Sequence, residues 1–276
     1  MSEPRTYPSG VTSWIDLESS ELDAAMSFYG ALFGWTFEQA TPPTAPLRYV
    51  IAKLDGSDVA GFGETAPGGA PSAWNTYVAV DDIEAACAAV ELAGGTVVDP
   101  PTPAGEGGLG AVCQDPEGVG FRLWQAKRRL GAQAVNVPGG WNFSNLHTAD
   151  QAGSQEFYGR VFPWRFTDMG FATVIQVPGY GEHLAATSDP DIFQRQADVA
   201  PEGFVDVIGD IGEAGDDTPR WEVVFAIADR DQTSDLARSL GAEVLGTSDN
   251  RWTKDVTLSD PQGAVFTASQ FAPSDR

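Results

Sequence analysis

The chain's two histidines, His147 and His183, are the side chains best suited to acid–base or metal chemistry near neutral pH. Period-two alternation places His147 on one strand face with Phe143 and Asn145, and His183 follows a glutamate at the expected start of a strand. Glu222 lies on a later strand and could join them in acid–base work or in a divalent-metal site. The alternative interpretation is that both histidines are solvated or hydrogen-bonded without a chemical role.

Nucleophilic and phosphate-binding chemistry find little support in the sequence. Cys87 and Cys113 are too few for a disulfide framework, and Cys87 falls on the apolar face of an expected helix, so we expect two buried, reduced thiols. The glycine-rich segment 105–110 (GEGGLG) lacks the strand-to-helix context and the following Lys-Ser/Thr of a phosphate loop. We therefore expect neither a thiol nucleophile nor a phosphate loop.

The composition excludes several further classes of protein. The chain has 16 Lys and Arg against 39 Asp and Glu, a net charge of −23, and no basic stripe, so nucleic acid is not an expected partner. Eight Trp, fifteen Phe and 42% hydrophobic residues predict a folded chain. Neither a leader sequence nor a membrane span is visible, so we expect a cytoplasmic protein with no membrane partner.

The elements that must position these residues occur twice along the chain. Three pairs of motifs carry the repeat: 28–37 (FYGALFGWTF) with 157–166 (FYGRVFPWRF), 74–82 (WNTYVAVDD) with 221–229 (WEVVFAIAD), and 115–118 (DPEG) with 260–263 (DPQG). Two tandem domains follow: a first over 8–127, a linker over 128–140, and a second over 141–273. The second copy is longer, and we place an inserted loop at about 188–220, either a disordered excursion or a lid over a site.

Each copy reads as two βαβββ modules. Alternation over 11–17 predicts the first strand, Ser20 with Asp23 predicts the capped start of the first helix, and Gly34 predicts its end. The dipeptide Asp55-Gly56 predicts a hairpin between the third and fourth strands. Three further helices are expected to begin at aspartate caps: Asp82, Asp150 and Asp231.

This module order, with FYG after the first helix, V-D-D-I at the second and D-P-E-G before the last strand, resembles the vicinal oxygen chelate superfamily. That superfamily includes glyoxalase I, extradiol dioxygenases and bleomycin-binding proteins. The chain is similar to its two-domain actinobacterial branch, labelled glyoxalase-like or hydroxylase. The resemblance implies an α+β fold of two tandem domains, each with two βαβββ modules that form a cupped mixed sheet with helices outside.

In metal-dependent members of that superfamily, His, Glu or Gln ligands lie on the first and last strands of the modules. The matching first-strand residues here are Trp14 and Phe143, and the last-strand residues are Arg122 and Thr267, none of which is a suitable ligand. The fourth-strand positions fall near Gly61 and Ala185, and only Glu222 matches a ligand. We therefore expect no cofactor, with an atypical divalent-metal site of His147, His183 and Glu222 as the alternative.

The cups implied by the resemblance contain several aromatic and polar side chains that could hold a small molecule. The predicted ligand-binding residues are Trp14, Asp16, Asn75, Tyr77, Arg122, Trp124, Phe143, Asn145, His147 and Glu222. Asp16, Arg122 and His147 are the catalytic candidates. The alternative for Asp16 and Arg122 is a structural ion pair beneath packed tryptophans.

The sequence leaves three functions open. The favoured one is a metal-free glyoxalase-fold protein, a monomer or homodimer, that binds a small organic molecule of natural-product or antibiotic type in an aromatic-lined cup. The second is an enzyme of lyase, hydroxylase or isomerase type, either cofactor-free or with a divalent metal in the second domain. The third is a structural interaction module.

Overall fold

The computed structural model describes residues 4–68, 71–197, 199–215 and 218–273. In the first copy the elements are β1 (Thr12–Ser19), α1 (Leu22–Phe33), β2 (Thr36–Gln39), β3 (Tyr49–Leu54), β4 (Ser57–Glu64), β5 (Ala73–Ala79), α2 (Ile83–Leu92), β6 (Thr96–Pro103), β7 (Gly108–Gln114) and β8 (Gly120–Ala126). In the second they are β9 (Trp141–Thr148), α3 (Gln151–Val161), β10 (Arg165–Asp168), β11 (Thr173–Gln176), α4 (Tyr180–Ala186), α5 (Ile192–Gln196), β12 (Val207–Glu213), β13 (Arg220–Ile227), α6 (Arg230–Ser239), β14 (Glu243–Asp249), β15 (Thr253–Ser259) and β16 (Val265–Phe271).

Within these residues, each copy forms one mixed sheet of eight strands. The orders are β2-β3-β4-β1-β5-β8-β7-β6 and β10-β11-β12-β9-β13-β16-β15-β14. The first and last strands of each module pair in parallel, and the other strand pairs within a module are antiparallel. The predicted α+β class and the four βαβββ modules are confirmed. No helix in the described segments is long and apolar enough to cross a membrane.

The chain divides into two compact units, each of which combines parts of both copies. Unit one comprises Thr76–Gly131, Ser144–Trp221 and the described residues up to Ser13. Unit two comprises Trp14–Asn75, Ala132–Phe143 and the described residues from Glu222 onward. The second module of the first copy thus shares a unit with the first module of the second copy, an arrangement that the sequence left open.

Local sequence signals set several of the helix and turn boundaries. The carboxylate of Asp82 accepts a hydrogen bond from the Ala85 N–H at 3.0 Å, and Asp150 accepts from the Gly153 N–H at 3.0 Å, so both predicted caps are confirmed. Gly34 ends α1 in the left-handed region at φ 74°. Asp55 and Gly56 both have positive φ, as the predicted two-residue hairpin requires.

Two predicted caps were wrong. Helix α1 begins at Leu22 without a side-chain cap, and the Glu21 N–H donates to the Ser19 hydroxyl at 3.1 Å. Helix α6 is capped by Asp229, whose carboxylate accepts from the Gln232 N–H at 2.8 Å, while Asp231 lies in the first turn. Asp229 is the residue that the repeat matches to Asp82.

The extra residues of the second copy lie in the connection between β11 and β12, residues 177–206, which begins before the predicted loop at 188–220 and overlaps its first part. The connection contains α4 and α5, and β12 occupies a later part of the predicted loop. Tyr180, Leu184 and Ile192 from this connection belong to the buried core of unit one. His183 and Ala185 consequently lie in helix α4, not on a strand, which corrects both strand predictions.

Cys87 on α2 and Cys113 on β7 are buried free thiols, as predicted. Burial raises the pKa of Cys113 to about 12 and also raises the pKa of Cys87. Because the thiolate is the reactive form, both behave as small apolar core residues.

A buried chain of hydrogen bonds joins the repeated motifs in unit two. Trp74 Nε1 donates to Tyr29 Oη at 2.9 Å, and the Tyr29 hydroxyl donates to Asp260 Oδ2 at 3.0 Å. Asp260 Oδ1 accepts from the backbone N–H groups of Gln262 and Ala264 at 2.9 and 2.8 Å. We call Trp74, Tyr29 and Asp260 the core relay of unit two.

Unit one contains the same relay, built from the other member of each motif pair. Trp221 Nε1 donates to Tyr158 Oη at 3.1 Å, and Tyr158 donates to Asp115 Oδ2 at 3.2 Å. Burial is the main cause that raises the pKa of Asp115 and Asp260, and the hydrogen bonds they accept oppose it. FYG, the motif tryptophan and D-P-x-G therefore recur because together they satisfy the buried polar groups of each unit.

Replacement of either relay tyrosine by phenylalanine should destabilise the protein by about 1–3 kcal/mol, because a buried indole N–H and a carboxylate each lose a partner. Urea unfolding of Tyr29→Phe and Tyr158→Phe measures this loss. The control Ser27→Ala removes an exposed hydroxyl that bonds to the Asp23 carbonyl, and it should stay within about 0.5 kcal/mol of the wild type. Tyrosine variants as stable as the control would contradict the role of the relays.

The raised pKa of Asp260 predicts a pH dependence with a definite sign. Because the native state binds this proton more tightly than the unfolded state, the free energy of unfolding falls as pH rises from about 3.8 through the native pKa. Asp260→Asn lacks this component, so the stability advantage of the wild type over the variant should shrink with rising pH. Urea unfolding of both proteins at a series of pH values measures the difference, and an advantage that grows with pH would refute it.

Candidate functional site

A buried carboxylate in unit two lies in a group of four hydrogen-bonded residues on three strands. Trp14 and Asp16 lie on β1, Tyr49 on β3 and Asn75 on β5. The Tyr49 hydroxyl donates to Asp16 Oδ2 at 3.1 Å, Asn75 Nδ2 donates to Asp16 Oδ1 at 2.9 Å, and Trp14 Nε1 donates to Tyr49 Oη at 3.1 Å. Asp16 is 1% exposed, whereas Tyr49 and Asn75 are half-buried. We call these four residues the Asp16 cluster.

Gly61 on β4 makes room for Tyr49 in this cluster. Gly61 is the register partner of Asp16, and a Cβ at Gly61 would overlap the Tyr49 hydroxyl and lie 3.0 Å from the Asp16 Cβ. Tyr49 was not among the predicted site residues, although a glycine inside a strand can mark the close approach of another group.

The structure brings three more of the predicted residues together in unit one. Arg122 on β8 donates from Nη1 to the Tyr77 hydroxyl at 3.1 Å, and its guanidinium lies 5.5 Å from the centre of the Tyr77 ring. Trp124 meets the Tyr77 ring edge to face at 6.3 Å. In the glycine-rich segment, a Cβ at Gly108 would come within 2.7 Å of the Trp124 indole, and one at Gly110 would lie 3.7 Å from it. The glycines therefore accommodate a tryptophan, consistent with the rejection of a phosphate loop.

In the second copy, the predicted residues fall into two separate groups. Glu222, which is 7% exposed in unit two, accepts from the Thr267 hydroxyl at 2.8 Å, and Thr267 is bonded to Thr257 at 3.1 Å. Phe143 belongs to the same unit. The carboxylate of Glu222 on β13 and the hydroxyls of Thr267 on β16 and Thr257 on β15 thus lie on neighbouring strands.

Asn145 and His147 lie on β9 in unit one, and both are half-buried. Leu146 between them and Ser144 before them are fully buried. This alternation confirms that Asn145 and His147 share a face. The backbone N–H of Asp210 on β12 donates to Asn145 Oδ1 at 3.1 Å. The register places Asp210 opposite Asn145, as Gly61 lies opposite Asp16, so Asp210 replaces Ala185 as the fourth-strand residue of the second copy.

His183 bonds to the N-terminal segment of the chain. Its Nε2 lies 3.0 Å from the Thr6 hydroxyl and 3.2 Å from the Thr6 carbonyl oxygen, within unit one. The ring stacks on that of Tyr180 at 6.4 Å. His183 therefore has a structural partner in the N-terminal segment.

The residues that match the metal-ligand positions of the superfamily that the sequence resembles do not fit a divalent cation. An indole, a phenyl ring, a guanidinium and a hydroxyl, those of Trp14, Phe143, Arg122 and Thr267, stand where imidazole or carboxylate ligands are needed. In the described part of the chain, no three His, Cys, Asp or Glu side chains are grouped as metal ligands. The alternative set of His147, His183 and Glu222 therefore receives no support from the described side chains.

A comparison of the two copies distinguishes polar networks that both copies share from a network that occurs in the first copy. Both units contain a core relay, but only the first copy has the Asp16 cluster. In the second copy Phe143 replaces Trp14, Asn145 replaces Asp16, and Asp210 occupies the position of Gly61. Because β9 and β12 pair in parallel just as β1 and β4 do, the module forms without these residues.

Two family models match the chain. Residues 13–123 match the Glyoxalase/Bleomycin resistance protein/Dioxygenase superfamily, and residues 143–269 match a Glyoxalase-like domain. A Mycobacterium bovis protein named "Putative glyoxylase CFP32" is 31% identical over 281 residues, which cover 99% of both chains. "Anthracycline biosynthesis protein DnrV" of Streptomyces peucetius is 31% identical over 284 residues, which cover 96% of this chain and 94% of the relative.

Solved structures share the fold at low sequence identity. The Mn(II)-bound glyoxalase from Novosphingobium aromaticivorans superimposes with a TM-score of 0.60 at 15% identity, covering 95% of this chain and 83% of that one. The 2,3-dioxygenase LapB from Pseudomonas sp. KL28 gives a TM-score of 0.61 at 14% identity, with 97% and 95% covered. These matches support the two-domain architecture.

Gly61→Ala should destabilise the protein by about 1–3 kcal/mol, because the added methyl group overlaps the Tyr49 hydroxyl in a packed cluster. The matched control is Gly63→Ala on the same strand, where the new Cβ meets Tyr49 at 3.5 Å, an ordinary contact. Thermal unfolding of both variants measures the difference. Equal stability of the two would mean that Tyr49 is not held against Gly61.

Proposed function

We propose that the chain, which belongs to the glyoxalase/bleomycin resistance protein/dioxygenase superfamily, binds a small organic molecule at the Asp16 cluster without a metal ion. The observation that carries the proposal is that this cluster is present in only one of the two copies. A polar network that the fold does not require is most simply explained by a ligand. The half-buried Tyr49 and Asn75 are the cluster residues that a ligand can touch.

The character of the residues and of the relatives supports an aromatic, natural-product type of ligand. Tyr49 offers ring surface beside a few fixed polar groups, which is how small-molecule sites are usually built, while Trp14 is buried and supports the Tyr49 hydroxyl from below. A relative that is 31% identical is named as an anthracycline biosynthesis protein. In this proposal the ligand is the partner, nucleic acid is not, and the protein acts as a monomer or homodimer.

One alternative is an enzyme acting on such a molecule, and the relative named as a glyoxylase favours it. The catalytic candidates, without a cofactor, would then be Asp16 in unit two, or Arg122 or His147 in unit one. Arg122→Ala and His147→Ala should each abolish turnover of a compound that the protein converts. Unchanged rates in both variants would remove these two residues from the mechanism.

Trp14→Phe tests the binding proposal, because the second copy carries Phe143 at this position and the fold accepts it. Ligand-observed NMR with a panel of small aromatic compounds should detect binding to the wild type. Loss of the indole hydrogen bond that holds the Tyr49 hydroxyl in place should weaken that binding about tenfold. Trp252→Phe makes the same chemical change on the connection between β14 and β15, and it should bind like the wild type. A panel with no binder, or equal loss in both variants, would count against the proposal.

Chelation separates the metal-free proposal from the metal alternative. Treatment with EDTA should leave the affinity for any binder unchanged, because no cluster residue acts through a cation. Elemental analysis of the purified protein should find no stoichiometric divalent metal. Loss of binding on chelation, restored by one metal, would contradict the proposal.

A further inference from the structure

The hydrogen bonds inside the Asp16 cluster fix the polarity of the groups that face a ligand. A carboxylate can only accept hydrogen bonds, so the proton of the Tyr49 hydroxyl and one N–H of the Asn75 amide are directed at Asp16. Trp14 Nε1 can only donate, so Tyr49 Oη also accepts from it. Both half-buried groups are thereby locked in one orientation.

The outward polarity follows from this arrangement. Since the Tyr49 proton is committed to Asp16, Tyr49 Oη can act only as an acceptor toward any other group. Since Asn75 Nδ2 faces Asp16, the amide oxygen Oδ1 is turned away from the carboxylate. Asp16 itself, at 1% exposure, lies beneath them and does not meet a ligand in this arrangement.

We infer that the Asp16 cluster selects ligands that donate hydrogen bonds, namely a protonated amine or a hydroxyl group, and that Asp16 is the positioning residue that sets this preference. The inference rests on the proposed function, because it names the ligand class of the same site. It changes the predicted role of Asp16 from a catalytic or contacting residue to one that acts through Tyr49 and Asn75.

Asp16→Asn tests the inference with almost no change in shape. The amide at position 16 offers one oxygen and one NH₂ group in place of two acceptor oxygens. If its oxygen faces Asn75, its NH₂ faces Tyr49, and the Tyr49 proton must turn outward. If its NH₂ faces Asn75, the Asn75 amide must flip and present its own NH₂ outward. In either case one outward acceptor becomes a donor.

The probes are benzylammonium, whose head group only donates, and benzoate, whose head group only accepts. Ligand-observed NMR titration should show that the wild type binds benzylammonium more tightly than benzoate. In Asp16→Asn, the ratio of the two dissociation constants should shift toward benzoate by at least about tenfold, the effect of about one charge-assisted hydrogen bond. The size of the protein and the aromatic ring of the probe are the same in each comparison.

The matched control for charge is Glu243→Gln, which removes one exposed carboxylate from β14. Its effect on the ratio should be small, because exposed charges are screened by solvent and salt. The fold of Asp16→Asn is checked by its circular dichroism and unfolding transition.

Each outcome separates the inference from the proposed function. A shift toward benzoate in Asp16→Asn but not in Glu243→Gln supports the inference. Tighter binding of benzoate to the wild type, or an unchanged ratio in Asp16→Asn together with a Trp14-dependent affinity, overturns the inference and leaves the proposed function in place. If neither probe nor any panel compound binds, the proposed function fails, and the inference with it.

Discussion

The buried relay of tryptophan, tyrosine and aspartate is the interaction on which each compact unit depends. In unit two the relay joins α1 to the turn before β16, and in unit one it joins α3 to the turn before β8. The aspartates are buried, which costs free energy, yet each carboxylate accepts from a tyrosine and from backbone N–H groups of its own turn. A partner removed from such a network leaves a buried polar group unsatisfied, so the motifs that supply the partners must recur together.

The same three residue types serve a different purpose on β1 and β3. The Asp16 cluster also runs from a tryptophan N–H through a tyrosine hydroxyl to a carboxylate. Unlike the core relays, it has no counterpart in the other copy, where Phe143 and Asn145 stand in place of Trp14 and Asp16. Duplication thus acts as an internal comparison: shared polar networks report on folding, and unshared ones report on what a single copy has acquired.

The fold was predictable from sequence because its signals are local or repeated. Asp82, Asp150 and Gly34 act within one helical turn, and the motif pairs recur wherever a module does. Asp231 failed because two aspartates lie within two residues of each other and only the backbone decides which one caps the helix, whereas Ser20 failed because α1 forms without a side-chain cap. The bounds of the extra segment were placed too far along the chain because β12 carries no repeated motif, so its strand could not be told from an irregular connection.

The candidate site was predictable only in part, and Tyr49 shows why. Alternation along β1 correctly gave Trp14 and Asp16 one face, but Tyr49 reaches Asp16 from a strand two places away in the sheet, across a glycine. That contact depends on register, which a single sequence does not specify without a repeat to align it. The direction of each hydrogen bond is even harder to predict from sequence, because it depends on which side chains meet in the fold and on which of them can donate.

Hydrogen-bond direction and net charge are two separate ways in which this chain could favour the same ligands. A charge of −23 attracts cations at long range, but salt screens that attraction over about 10 Å at 0.1 M ionic strength. The acceptor polarity of Tyr49 and Asn75 acts only at contact and rests on a buried carboxylate, so salt weakens it far less. A preference that survives at high ionic strength therefore belongs to the cluster, whereas one that disappears belongs to the surface. The many exposed carboxylates can raise the local concentration of a cationic ligand, but only the oriented groups of the cluster can distinguish a donor from an acceptor of the same size.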